Sequence, residues 1–478
     1  FKQKTAYEIM PSLVGSEMCI RDRTYMTGKW HVTGFTSPKG PKDNWPLQRG
    51  FEKFYGTITG AGSYYDPTTL CRQNTYITPL NDPKYRPKRF YYTDAITDNA
   101  VAFINEHFEE TPDKPFFIYI AYTAAHWPMH ALPEDISKYR GMYDQGYRPI
   151  REARYRRLKK LGLISEICGL SPQAGNWKEF PYKKWEARCM EVYAAMIERM
   201  DRGIGKVVEA LKKHGALDNT LIFFLQDNGG CAEGIGREVN INKRWTAAIK
   251  DRSPMGPNEL QRRIWPPMKT RDGRPVRGGP TVMPGPEDTY IAYGRNWANV
   301  SNTPFREYKH WVHEGGISTP LIVHWPAGFS ARGEIRDDIC HLIDIMATCV
   351  DIAGATYPTR YKGHSITPLE GISLLPAFQG KKLPERPLYW EHEANCAIRI
   401  GRWKLVCKGN MRTGERGAWE LYDMKKDRAE LHDLSKKYPE RVKEMAEKWE
   451  AWAKRAKVKP WPWGRRKRRK PNPANRNR

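Results

Sequence analysis

Apolar positions follow two patterns along this chain. Unbroken apolar runs recur at residues 115–122 (P-F-F-I-Y-I-A-Y), 221–225 (L-I-F-F-L) and 319–325 (T-P-L-I-V-H-W). Runs this short, without polar interruption, suit strands buried on both faces. Between them the spacing changes to that of helices. Ile96, Ala100, Val101 and Ile104 predict an amphipathic helix over 94–108, with Thr93 or Asp94 as its cap. Met196, Ile197, Met200, Ile204, Val207, Val208 and Leu211 form one stripe over 191–213, closed by His214 and Gly215, and 339–354 reads as an apolar helix ending at Gly354. Helix and strand alternate. The fold expected is therefore α/β, a mainly parallel sheet flanked by helices.

The pattern shifts near Gly380. Short runs at 388–390, 397–400 and 403–406, followed by W-E-L-Y-D-M, predict a small antiparallel sheet. A helix over 439–454 would cover it with Val442, Met445, Ala446, Trp449 and Trp452. The chain thus divides into a body at 24–380, a small α+β domain at 381–459, and a basic, Pro-rich tail at 460–478 expected to be disordered. Three stretches lack periodicity. Residues 33–92 read as loops around a pocket that Tyr64, Tyr65 and Asp66 could line; 139–184 reads as an irregular insertion; 232–303 reads as a lid or family-specific insertion. The last contains Asn299-Val300-Ser301, a glycosylation sequon short enough to arise by chance.

Composition narrows the class. The 478 residues are 40% hydrophobic and 12% aromatic with 17 Trp, a globular composition, and contain no apolar run of membrane-spanning length. The first residues do not form a signal peptide, and the stretch 11–23, P-S-L-V-G-S-E-M-C-I-R-D-R, resembles a translated adapter sequence. Residues 1–23 are thus expected to be foreign, with Thr24 internal to a protein that begins further upstream. The net charge is +26, with much of the excess in 148–160 and 454–478. Neither block forms a nucleic-acid module, and such a surface equally suits a polyanion such as a sulfated polysaccharide, or is simply solvated charge. Nine cysteines without a C-x-x-C pair indicate neither a zinc module nor a disulfide framework.

Candidate chemistry gathers where strands end. Asp227 and Asn228 follow the 221–225 run, and Gly229 and Gly230 let the backbone turn away. Two oxygen-bearing side chains there suit a cation, or a plain turn. T-Y-M-T-G-K-W-H-V at 24–32 puts Lys29 and His31 two apart, on one side if extended, where they could grip an anion or simply face each other at the surface. T-A-A-H-W-P-M-H places His126 and His130 beyond the end of the 115–122 strand, and K-H-W-V-H-E-G-G occupies 309–316.

Taken in order, G-K-W-H at Gly28, A-Y-T-A-A-H-W-P at Ala121, D-N-G-G at Asp227 and K-x-x-x-x-E-G-G at Lys309 resemble a type I sulfatase of the alkaline phosphatase superfamily. G-R-W-K-L-V at Gly401 and E-L-Y-D-M at Glu420 extend the resemblance to the family's small C-terminal domain. The resemblance implies an arylsulfatase-like sulfuric ester hydrolase with an alkaline-phosphatase-like fold, a formylglycine nucleophile and one hard divalent cation, calcium or else magnesium. By position it makes Asp227 and Asn228 metal ligands and Lys29 and Lys309 the sulfate grip; His31 would contact the nucleophile, and His126 would bind substrate and protonate the leaving alcohol. Two-zinc phosphatases and phosphodiesterases of the superfamily carry His where this chain has Asn228, and an amide oxygen favours calcium or magnesium over zinc.

The match is incomplete. No C-x-P-S-R or S-x-P-S-R signature, the source of formylglycine, occurs in the chain, nor does the family's paired-Asp segment. Cys19 to Arg23 imitates the ends of that signature but lacks its Pro and lies too close to Gly28. The expectation is a sulfatase lacking roughly a hundred amino-terminal residues, inactive as it stands. Its substrates would be sulfated carbohydrates and its location periplasmic or secreted. The alternatives are a sulfated-glycan-binding protein without catalysis and a related phosphatase or phosphodiesterase.

Overall fold

The computed structural model describes residues 23–458 apart from 362 and 411. The readings of residues 1–22 and of the 460–478 tail lie outside the described residues. The sheet is organised on β1 (Arg23–Lys29), whose five central residues are buried. It runs parallel to β2 (Lys53–Thr57) on one side and, on the other, to the strand at Phe116–Ala121. Two short antiparallel strands, β3 (Leu70–Arg72) and β4 (Thr75–Tyr76), extend the β2 edge; with Phe116–Ala121 as β5 the order is β4-β3-β2-β1-β5. Close pairing at the top of this sheet requires glycine. A Cβ on Gly28 would lie 2.0 Å from the Ala121 carbonyl oxygen, and one on Gly56 would lie 1.8 Å from that of Gly28.

Helices α1 (Tyr92–Glu110) and α3 (Lys183–Lys213) pack on this sheet, as the helical spacing predicts, each starting earlier than the apolar stripe alone indicates. Between them lies α2 (Tyr147–Lys160), which corrects the reading of 139–184 as an irregular insertion. Its basic residues mask the periodicity. Tyr147 and Arg151 are buried in it, Tyr147 against Trp177 and Trp297, and Arg151 donating to the Ser171 carbonyl at 2.6 Å.

The 221–225 run forms β6 (Ile222–Leu225), paired antiparallel with β7 (Leu321–His324) in a separate two-stranded sheet. Burial on both faces is not what the structure shows. All four residues of β6 are half-buried, and Tyr119 of β5 and Ile322 of β7 are 41% and 58% exposed. The covered face explains the apolar runs: Phe116, Ile118 and Ile222 pack with Val101 and Ile104 of α1 and Val207, Ala210 and Leu211 of α3. Among the described residues β1 is the one strand paired with β5, and β7 the one paired with β6.

Residues 232–303 are packed into the body and do not form a free lid. They contain α4 (Ile241–Ala248) and α5 (Gly294–Ser301), and Val276, Val282 and Tyr290 to Tyr293 join the main core. Asn299 is 3% exposed and accepts from the Ala174 amide, so its sequon is buried. The apolar helix expected at 339–354 is shorter, α6 (Ile343–Ile352). Among the described residues no helix is long and apolar enough to cross a membrane.

The C-terminal unit is an antiparallel sheet of β8 (Pro387–His392), β9 (Asn395–Ile400), β10 (Trp403–Cys407) and β11 (Glu420–Asp423). Helix α7 (Pro439–Arg455) buries Met445, Trp449 and Ala453 on one face of it. The other face, with Ala397, Val406 and Tyr422, packs on Val312 of the body. Lys404 is fully buried at this junction and bridges Glu314 at 2.8 Å and Glu430 at 2.7 Å. Although burial pushes the Glu314 carboxyl upward, Lys404, Arg399 and Arg428 hold its pKa down to about 2. The E-G-G turn is thereby fastened to the small domain.

Candidate active site

Two glycine pairs bring the end of β6 and the E-G-G turn into contact. A Cβ on Gly229 would lie 1.8 Å from the Gly315 carbonyl oxygen, and the Gly229 amide donates to the Gly316 carbonyl at 2.9 Å. The Gly230 amide donates to Asn302 Oδ1 at 2.8 Å, and the Lys309 amide to the Gly230 carbonyl at 3.1 Å. Asp227 and Lys309, distant in sequence, therefore flank one backbone junction.

Lys309 reaches from there to the loop after β5, its Nζ standing 3.3 Å from His126 Nε2. The other ring nitrogen of His126, Nδ1, donates to the Trp127 carbonyl at 2.9 Å. That contact fixes the tautomer and leaves Nε2 as an acceptor for the lysine. Tyr64 supports the same loop by donating to the His126 carbonyl at 3.0 Å. Burial lowers the His126 pKa to about 4, Lys309 and Lys29 add to the effect, and the Trp127 carbonyl and Glu233 oppose it.

Lys29 closes the group from the end of β1. Burial lowers its pKa, Lys309 adds to this, and the Asp227 carboxylate opposes it. His31 is lowered by burial and by the same two lysines. The expectation that Lys29 and His31 share a strand face is corrected: β1 ends at Lys29 and His31 turns to φ +55. The His31 ring instead lies against Gly60, where a Cβ would come within 2.2 Å of it. Lys29, His31, His126, Lys309 and Asp227 thus share one electrostatic environment, with positive charge in excess.

Asp227 and Asn228 fit a hard cation by donor type, since carboxylate and amide oxygens are its preferred ligands. Among the described residues neither side chain is taken by a hydrogen bond or ion pair, although Asp227 feels the Lys29 charge. Two side chains are fewer than the six to eight oxygens calcium takes.

Other expected residues lie elsewhere. His130 is buried and held by the Thr289 carbonyl at 2.6 Å and the Tyr64 amide at 3.3 Å, a core contact. Tyr65 donates to the Ala131 carbonyl at 2.8 Å and Asp66 pairs with Arg271 at 2.9 Å, so neither lines an open pocket. Sequence reasoning missed Glu233. It accepts from Trp127 Nε1 and Cys231 Sγ, both at 2.8 Å, and stands 3.6 Å from Lys309 Nζ. Hydrogen bonding from His310 first, then from Cys231 and Trp127, holds its carboxyl well below the usual range. The signal was its place six residues after Asp227, on the same stitched segment.

Residues 21–355 match the family model described as Sulfatase, and 306–455 match the one described as N-sulphoglucosamine sulphohydrolase, C-terminal. An uncharacterised sulfatase of Schizosaccharomyces pombe is 31% identical over 89% of this chain and 73% of its own length. An arylsulfatase of Klebsiella aerogenes is 31% identical over 73% of this chain and 69% of its own. The chain spans 56% of the mouse N-acetylgalactosamine-6-sulfatase, to which it is 22% identical over 84% of its length. Among solved structures, Ps i-CgsB in complex with k-i-k-neocarrahexaose is similar with TM-score 0.57 and 22% identity, over 93% of this chain and 73% of that one. BT4656 in complex with its substrate D-glucosamine-2-N,6-O-disulfate is similar with TM-score 0.55 and 19% identity, over 94% and 82%. At these identities the structural likeness concerns the fold.

Proposed function

The chain belongs to the sulfatase family, and from that premise we propose that the group around Lys309 is the sulfate-binding half of a site that hydrolyses sulfate esters of carbohydrates. The observation that carries this is the convergence of Lys29 and Lys309 on a neutral His126. An anionic sulfate placed between the two ammonium groups would satisfy both. It would also offset the positive field that adds to burial in keeping His126 unprotonated, because an added anion favours the charged imidazole. The Nε2 atom, already directed at Lys309, would then hold a proton where the leaving alcohol needs one. Binding and acid catalysis are coupled in this reading. His31, beside the lysines, would contact the nucleophile.

Asp227 and Asn228 would hold the hard cation, calcium or magnesium, which supplies charge stabilisation at the sulfate oxygens when bound. No C-x-P-S-R or S-x-P-S-R occurs in the 478 residues, and we propose that the formylglycine nucleophile and the remaining metal ligands come from a further segment of the protein. Among the described residues β5 and β6 are each paired on one side only and share one helix layer, which accords with a further strand beside them. Secretion or a periplasmic location accords with a sulfated polysaccharide as substrate.

The lack of that signature among these residues also favours a second reading, a protein that holds sulfated glycans without cleaving them. Both are tested by supplying 4-nitrophenyl sulfate and 4-nitrophenyl phosphate to protein expressed from its whole reading frame. Hydrolysis of the sulfate ester, lost on chelation, is the expected result. Preference for the phosphate ester would place the protein with the phosphatases, and retention of sulfated glycan without turnover would leave the binding reading.

A further inference from the structure

Beside Lys309 a second group of ligating side chains converges that none of these roles uses. His310 comes from the loop before the E-G-G turn, and His392 and Glu393 from the β8–β9 hairpin of the small domain. We infer that His310, His392 and Glu393 form a second metal site, for zinc or a similar borderline-soft divalent cation, that ties the hairpin to the Lys309 loop. His310 Nδ1 lies 3.1 Å from His392 Nε2 and 3.0 Å from Glu393 Oε2, and His392 Nε2 lies 4.0 Å from Glu393 Oε1. Donors bound to tetrahedral zinc at about 2.0–2.1 Å stand about 3.3 Å apart, close to these separations.

The protonation pattern points the same way. The other nitrogen of His310, Nε2, faces Glu233 Oε1 at 3.7 Å. A carboxylate on the remote nitrogen is the usual support of a ligating histidine, because it holds that nitrogen protonated and turns the lone pair of the other toward the metal. With Nε2 protonated, the Nδ1 lone pair points at a carboxylate oxygen and a second imidazole. A single proton on Nδ1 could serve one of these neighbours, whereas one cation serves all three donors.

The backbone is held to this arrangement at some cost. His310 has φ +84, and Glu393 and Ala394, the two residues of the hairpin turn, have φ +53 and +69. Such turns ordinarily take Asn-Gly, and side chains here are retained against strain. Asn395 fastens both sides, its Nδ2 donating to the His310 carbonyl at 2.9 Å and the His392 carbonyl at 3.0 Å.

This site differs in kind from Asp227 and Asn228. Imidazole donors select zinc-like ions, whereas those two offer oxygens alone. Three protein donors leave a fourth tetrahedral position open. The inference does not depend on the sulfatase reading.

The test is titration of the whole chain with Zn²⁺ against a chromophoric chelator, repeated with Co²⁺ to read coordination from its visible absorption. One equivalent should bind, with the intense spectrum of a tetrahedral site. His392→Ala and Glu393→Gln should each weaken binding by more than about 100-fold, and Glu233→Gln by about 10- to 100-fold, while Asp227→Ala leaves it unchanged. His392 is exposed, so its replacement can be checked for an unaltered circular dichroism spectrum; should it misfold, Glu393→Gln alone decides. Absence of zinc uptake by the unmodified chain, or uptake unaffected by Glu393→Gln, overturns the inference.

Discussion

His126 shows how a motif residue acquires a working state from its surroundings. A histidine with a pKa of about 4 is neutral at neutral pH, the wrong state for an acid until an anion arrives. The sign follows from the causes. Burial and two positive neighbours disfavour the imidazolium, so removing Lys309 must raise the pKa toward its ordinary value of about 6.5. In an NMR titration, His126 of the whole chain should titrate near about 4, and that of Lys309→Met at least about one unit higher; sulfate should move the unmodified protein in the same direction. No response to either change would sink the coupling of binding to acid catalysis. At this scale the sequence was informative about Lys29, His126, Asp227 and Lys309, because strand ends and motif spacing mark them. It was silent on His310, His392 and Glu393. Glu233 was marked only by its place six residues after Asp227, and nothing local distinguishes the other three, whose relation is created by the packing of the hairpin on the Lys309 loop.

Elements show where apolar pattern and environment part. The periodic stripe of α3 reads directly as a helix because one face is buried along its length. Helix α2 escaped notice because Arg151, in place of an apolar residue, occupies a buried position and satisfies itself on Ser171. The runs in β5 and β6 were read as two-sided burial, yet among the described residues one face is covered, by α1 and α3, and that one face accounts for the apolar side chains at Phe116, Ile118 and Ile222. The E-G-G turn depends on an element far away in sequence, β10, through Lys404. Lys404→Met would leave Glu314 and Glu430 facing each other in a buried site. Loss of one partner of a buried ionic group costs about 3–5 kcal/mol, and denaturant unfolding should show a drop of that size. A change of under about 1 kcal/mol would mean that the small domain does not brace the turn.

For the molecule as a whole, a mainly parallel sheet and a small antiparallel domain meet at the loop between Lys309 and Gly316, from which Lys309 acts on Lys29, His31, His126 and Glu233. Fold class and the two-part organisation were legible from alternation and from the change in pattern near Gly380, since both depend on local periodicity. The closure of the site was not, because it rests on glycine pairs whose contacts only the folded chain reveals. One sulfate-hydrolysing centre served by both Lys309 and Asp227 is what the proposed function requires. It is tested most directly by steady-state hydrolysis of 4-nitrophenyl sulfate by protein from the whole reading frame, compared with its Lys309→Ala and Asp227→Ala variants. Turnover by the unmodified protein and a fall in kcat of about 100- to 1,000-fold in each variant are expected; no turnover by the unmodified protein, or turnover undiminished in both variants, would rule out a shared centre.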